Sequence, residues 1–304
     1  MNATAQPSIF SQGAPAHLHL QFKAYSEDDF VEATGKAASF ALELPSVNKV
    51  GIVVGFRPSG IKEKLFPDLE NDINDFSPIV GKDGFTMPAN QQDIWVWLTS
   101  AKEDSLFDTG TELLSILGST TELVDERKGF SYRDGRDLTG FIDGTENPSL
   151  SEAAQVALIP EGKLRGASLC LLQVWRHDLK SFAKLDIHAQ EDVFGRTKSS
   201  SEELDDSKKP HNSHIARVVI EENDSELEIF RQSVPYGKLT EHGLVFVAFT
   251  AEQRRIELML QNIAGASEDG IRDALTSYST PLSGAYYFVP TIEMLGHLSR
   301  DQIK

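Results

Sequence analysis

The chain has 304 residues, 40 % hydrophobic and 25 % charged, with a formal net charge of −17, a length that allows two ordinary domains, each with its own core. That acidity argues against nucleic acid or an anionic membrane surface as a partner, because phosphates would be repelled. The single cysteine, Cys170, excludes an intramolecular disulfide and any multi-cysteine zinc or iron–sulfur centre.

No apolar run approaches the roughly 18 residues of a membrane span. The opening MNATAQPSIFSQGAPAHLHL lacks a basic segment followed by an apolar one, which points away from a secretory signal and towards a reducing cytoplasm.

Residues 1–15 read as a loose polar arm. His17-Leu18-His19-Leu20-Gln21-Phe22 then alternates with period two, predicting a half-buried strand. Ser26 is placed to cap a helix whose Phe30, Ala33, Ala37, Ala41 and Leu44 share one face, with Pro45 closing it. The β-branched run 49–56 predicts a strand, followed by a Pro/Gly/Asp-rich excursion to about residue 90. A strand at 93–100, a helix marked by Leu106, Leu113, Leu114 and Leu117, and a strand at 120–128 complete a β-α-β-β-α-β run.

The second half repeats the pattern. Residues 168–176 predict a strand and 182–194 helical material ended by Gly195, with a polar surface loop at 197–213. A strand at 215–221 takes 228–233 as its hairpin partner, and 243–250 is the next strand. Ile256, Met259, Leu260 and Ile263 have helical spacing, and a strand at 284–289 ends the set. The expected fold is α+β: two ferredoxin-like units with antiparallel sheets, divided into 1–135 and 136–304.

Three segments carry chemistry. In GFIDGTENP (140–148), glycines flank the apolar pair Phe141-Ile142 and Asp143, so backbone can approach a ligand closely. A carboxylate packed there can serve as acid or base; Asp-Gly is equally a common turn. In PHNSHIARV (210–218), His214 stands at the mouth of an apolar run, and one axial imidazole is enough to hold haem iron. A surface histidine fits the same letters. In FRQSVPYG (230–237), Arg231 alternates with apolar neighbours and points either to solvent or into a pocket, where it would need an anion. WRHDL (175–179) and GRTK (195–198) add further charge, suited to an anion or to plain surface.

These segments, in this order and spacing, closely resemble the dye-decolourising peroxidases, and VWRHDL, GRTK and GAYYFVP are similar to further parts of that family. More narrowly the chain resembles its compact bacterial, YfeX-like branch, over nearly the whole length and most strongly from 140 to 290. The resemblance implies two ferredoxin-like units with one haem b per chain, held mainly by the C-terminal unit, its iron axially bound by His214. It implies that Asp143 and Arg231 promote cleavage of hydrogen peroxide, that Arg196 meets a haem propionate, and that Gly144 and Thr145 lie against the cofactor. Ser233 stands where some relatives have asparagine, His177 is a candidate to join Asp143 in a proton path, and Asp273 is the candidate to hold the other nitrogen of His214.

The implied reductants are dyes or other bulky organic molecules. Trp95, Trp97, Trp175, Tyr236, Tyr286 and Tyr287 are candidate electron relays, although strand aromatics are more often core. A homo-oligomer, with a dimer favoured, is expected; the ending SRDQIK lacks the long tail of encapsulin-packaged relatives, which argues against that role. The competing reading is a haem-handling protein, a deferrochelatase or haem carrier, which would keep His214 but need neither Asp143 nor Arg231. A haem-free ferredoxin-like interaction module is the third.

Overall fold

A computed structural model describes residues 3–44, 49–65, 73–223 and 225–300. The first half runs β1 (Ala16–Ala24), α1 (Glu27–Glu43), β2 (Gly51–Phe56), β3 (Ile94–Ser100), α2 (Glu103–Leu117) and β4 (Thr121–Phe130). Its strands lie antiparallel in the order β4-β1-β3-β2, consistent with a ferredoxin-like arrangement. Ser26 caps α1 as expected, its hydroxyl accepting the Asp29 N–H. Pro45 and residues 301–304 lie outside the described residues.

The second half contains α3 (Leu150–Ala157), β5 (Ser168–His177), α4 (Ile187–Phe194), α5 (His214–Val218), β6 (Phe230–Arg231), β7 (Val234–Gly237) and β8 (His242–Thr250). It continues through α6 (Gln253–Ala264), β9 (Ser279–Pro281), β10 (Ala285–Val289) and α7 (Ile292–Arg300). Here the strands follow the same order, β10-β5-β8-β7. The two sheets meet at both edges, Tyr236 pairing with Gly129 and Phe288 with Phe56. Eight strands therefore close into one ring, which leaves no free edge between the halves.

Closure corrects the reading of β1 as half-buried. Leu18, Leu20 and Phe22 pack under the helices of the first half, while His17, His19 and Gln21 turn inward and are buried too. The ring interior is filled by Trp95, Trp97, Cys170, Val174, Val247, Phe249 and Tyr287. Some polar side chains pair there: Trp97 Nε1 donates to His17 Nδ1 at 3.2 Å, and the Tyr287 hydroxyl to Gln21 Oε1 at 2.7 Å, whereas both His19 nitrogens and Trp95 Nε1 are buried without a partner among the described residues. Of the six aromatic relay candidates, all but Trp175 are buried core residues.

A second correction concerns residues 215–221, expected as a strand. His214–Val218 is a helix instead. A short β-branched run carries no period that separates strand from helix, and tertiary contacts decide. Arg217, on this turn, donates to Asp269 at 2.8 and 3.1 Å and to Ser267 at 3.2 Å, anchoring the helix to the loop after α6. The expected partner at 228–233 pairs elsewhere: Phe230 lies opposite Phe249 and Arg231 opposite Ala248. The polar loop after Gly195 is not purely surface, since Ser201 is buried and Arg196 bridges to Glu203. No helix among the described residues is long and apolar enough to cross a membrane.

Candidate active site

Alternation along β5 sends Cys170, Leu172 and Val174 into the ring and Leu171, Gln173, Trp175 and His177 to its outer face. Leu244 and Phe246 of β8 extend that face. The inner side of α6 and the helix α5 stand against it and leave an open cavity between them. His214, Asp143, Gly144, Thr145, Arg196, Arg231 and His177 all line this one cavity.

The GFIDGTENP loop is built by its own hydrogen bonds. Asp137 N–H donates to Phe141 O and Asp143 N–H to Gly135 O, both at 2.9 Å. Gly140 and Gly144 adopt φ of 89° and 74°, a region costly for residues with a Cβ. Phe141 stacks on Phe194 at 3.9 Å between centroids and anchors the loop, while Ile142 lines the cavity.

Asp143 is thereby held in the cavity. Burial pushes its carboxyl above the ordinary range and Asp137 adds to the effect, while Arg231, the Gly144 N–H and His214 oppose it. Arg231 reaches the cavity from β6. Burial lowers its pKa, Asp143 opposes that through charge, and its Nε is buried without a hydrogen-bond partner. The two groups influence each other through space, yet no ion pair joins them among the described residues. The Arg231 Nε in particular remains available to a ligand.

His214 is the first residue of α5. Its Nδ1 shares a hydrogen bond of 2.6 Å with Asp273 Oδ2, and Asp273 is only 1 % exposed. Donation of the Nδ1 proton to that carboxylate leaves the Nε2 lone pair free to bind a metal. The loops carrying the pair are tied together by Ala274 N–H donating to Asn212 O at 2.8 Å. Asp273 thus takes the place expected of it.

His177 is bonded at both ring nitrogens. Its Nε2 meets Asp137 Oδ1 at 3.1 Å and its Nδ1 meets Ser279 Oγ at 2.8 Å. Burial pushes Asp137 up, but His177 and the two Thr139 donors outweigh it and hold the carboxyl below the ordinary range. Asp137 therefore bonds His177 and acts through charge on the candidate acid–base. Arg196 is engaged by Glu146, by Glu203 at 3.5 Å and by the Ser201 carbonyl at 2.6 Å.

Ser233 is not brought to the cavity wall. It falls on the face of the chain that carries Arg231, but its hydroxyl turns back to accept the Val247 N–H at 3.3 Å. Sequence reasoning missed Asp137, Thr139, Glu146, Asn147 and Ser279. Glu146 and Asn147 stand within GFIDGTENP, and Asp137 left a trace in the Asp-Leu-Thr spacing of a turn whose carboxylate accepts the Thr139 N–H and hydroxyl.

Residues 134–294 match the family model described as Dyp-type peroxidase, C-terminal. A protein from Mycobacterium tuberculosis (strain ATCC 25618 / H37Rv) named Dye-decolorizing peroxidase is 36 % identical over 217 residues, covering 70 % of this chain and 65 % of that protein. One of the same name from Rhodococcus erythropolis (strain PR4 / NBRC 100887) is 34 % identical over 275 residues, 88 % of this chain and 80 % of that one. The chain thus spans just under two thirds of its mycobacterial relative's length and more of the rhodococcal one. Among solved structures, a DypB variant of Rhodococcus jostii RHA1 in complex with heme superposes with a TM-score of 0.89 at 31 % identity, covering 95 % of this chain and 97 % of that chain.

Proposed function

This chain belongs to the Dyp-type peroxidase family, and from that premise we propose that it is a haem peroxidase that reduces hydrogen peroxide and oxidises bulky organic reductants such as dyes. The observation that carries the reading is the meeting, in one cavity, of an imidazole with a free Nε2, a carboxylate joined to no cation among the described residues and a guanidinium whose Nε has no partner.

The cavity fits a flat, mostly apolar macrocycle. Leu171, Phe194, Ile215, Leu244, Phe246, Met259 and Leu260 supply apolar wall. His214 would hold the iron of one haem b through Nε2, with Asp273 fixing the ring and its tautomer. Gly144 and Thr145 form wall beside Asp143. Arg196 is the cation available to a haem carboxylate, in exchange for Glu146.

Bound haem supplies the redox iron that accepts the oxidising equivalents of peroxide. Asp143 takes a proton from the near oxygen of peroxide and returns it to the far oxygen, which leaves as water. Arg231 remains a cation and directs its donors at the negative charge that grows as the O–O bond breaks. The Asp137–His177–Ser279 chain is a route by which protons reach the neighbourhood of Asp143. Two electrons from the organic reductant, taken up with two protons, complete the reduction to a second water. A cytoplasmic dimer, divided near residue 135 into two units, is part of the same reading.

Asp143→Asn and Arg231→Leu test it, with haem content fixed by absorption. Each is expected to slow the reaction with stoichiometric peroxide by about 100-fold or more. If both variants react at the wild-type rate, these roles are wrong.

A further inference from the structure

The side chain of Asn147 makes two hydrogen bonds, both to the backbone of Arg231. Oδ1 accepts the Arg231 N–H at 2.9 Å and Nδ2 donates to the Arg231 carbonyl at 2.8 Å, across 84 residues of sequence. This reciprocal pair copies the two-bond pattern by which one strand residue holds another. It occurs where β6 is only two residues long and is paired with β8 on one side.

The other end of Asn147 is fixed by the turn that carries Asp143. Asn147 N–H donates to Gly144 O at 3.0 Å, and Gly144 itself sits at φ 74°. A Cβ on Gly144 would lie 3.2 Å from Asn147 Nδ2, so the glycine leaves room for the amide. Between the two, Glu146 engages Arg196. One four-residue turn therefore holds the candidate acid–base on its leading edge and grips the candidate cation through its last residue.

We propose that Asn147 is the positioning residue for Arg231, setting the separation between the Asp143 carboxylate and the Arg231 guanidinium. Asn147 touches neither peroxide nor haem in this scheme. Both ends of the side-chain amide are needed, because Arg231 presents one donor and one acceptor at this point. Asn147→Asp would keep an acceptor for the N–H but set a carboxylate oxygen against the Arg231 carbonyl. The part Arg231 plays in peroxide reduction rests on the functional reading above; the geometric claim stands apart from it.

The test follows the Asp143 carboxyl by carbon NMR in the full-length chain loaded with zinc protoporphyrin, which is diamagnetic. The charges acting on Asp143 are Arg231, Asp137 and His214. Arg231→Leu removes the cation that most opposes the rise and is expected to raise the Asp143 midpoint by roughly 1 pH unit. Asn147→Ala is expected to raise it in the same direction by a resolvable part of that shift, with Arg231 still present. Asn147→Leu, uncharged and of similar size, provides a second variant, should the alanine form not fold, and is expected to do the same. An Asp143 midpoint that stays at the wild-type value in a folded Asn147 variant overturns the proposal. If the midpoint moves while Asp143→Asn and Arg231→Leu leave peroxide reduction unchanged, the positioning stands and the peroxidase roles fall.

Discussion

Asp273 and His214 are 59 residues apart in sequence and share a hydrogen bond of 2.6 Å, with the second carboxylate oxygen of Asp273 accepting the Leu275 N–H at 2.8 Å. The carboxylate is thus fixed before it fixes the imidazole. Asp273→Ala is expected to weaken haem binding by about 10- to 100-fold. Asp273→Asn keeps an acceptor for Nδ1–H but removes charge, so the reduction potential of bound iron should rise. Absorption titration with haem and a redox titration of the loaded protein read the two effects; unchanged affinity in the alanine variant would mean that the pair is ornamental to the metal.

The raised Asp143 carboxyl has a consequence for stability. A folded-state pKa above the unfolded value means that the folded chain holds this proton more tightly. The associated stabilisation is complete below the unfolded value of about 3.9 and is lost as pH rises through the folded one. At neutral pH the ionised carboxylate therefore costs stability. Asp143→Asn should melt at a higher temperature than wild type at pH 7, with the advantage shrinking as pH falls towards 4. An equal melting temperature at pH 7 counts against a desolvated carboxylate.

The same shift sets the acid side of the pH–rate profile. Asp143 accepts the peroxide proton only when ionised, so kcat/KM for peroxide should rise with pH through a midpoint above about 3.9. Arg231→Leu should move that midpoint further up, since the cation lowers it. Steady-state kinetics with haem occupancy measured at each pH decides this, and a limb with its midpoint at or below about 3.9 would exclude Asp143 as the titrating base.

Asp137 behaves in the opposite sense. Its carboxyl is held below the ordinary range in the folded chain, so its contribution is present above about 3.9 and fades as pH falls through the lowered value. Asp137→Ala strands His177 Nε2 and both Thr139 donors in a buried site. A loss of about 2–4 kcal/mol at pH 7 is expected in denaturant unfolding. A loss under about 1 kcal/mol would show that water replaces the carboxylate.

Gly195 ends α4 at φ 81°, and a Cβ there would lie 2.5 Å from Ile215 Cγ2 and 2.7 Å from Ser213 Oγ. Those residues flank His214. Gly195→Ala is expected to cost about 2–4 kcal/mol from left-handed strain and overpacking together. It should also weaken haem binding, because the relief available is movement of the turn that carries the imidazole. Unfolding and haem titration on one sample separate the two effects.

Much of the site was legible because its chemistry is local in sequence. The GFIDGTENP loop is specified by glycines at positions where φ is positive and by apolar residues that anchor it, and the helix faces of α1 and α6 follow from spacing alone. Asp143, Arg231 and His214 were nominated by residue type and resemblance, and all three do line one cavity. What the letters could not fix depends on partners distant in the chain. Residues 215–218 became a helix because Asp269 and Ser267 hold Arg217, a contact no local period encodes. The polar face of β1 became an interior face only because the two sheets close on each other. His177 turned to Asp137, and Asn147 to the Arg231 backbone, because a buried donor or acceptor takes whichever partner the assembled fold brings within about 3 Å.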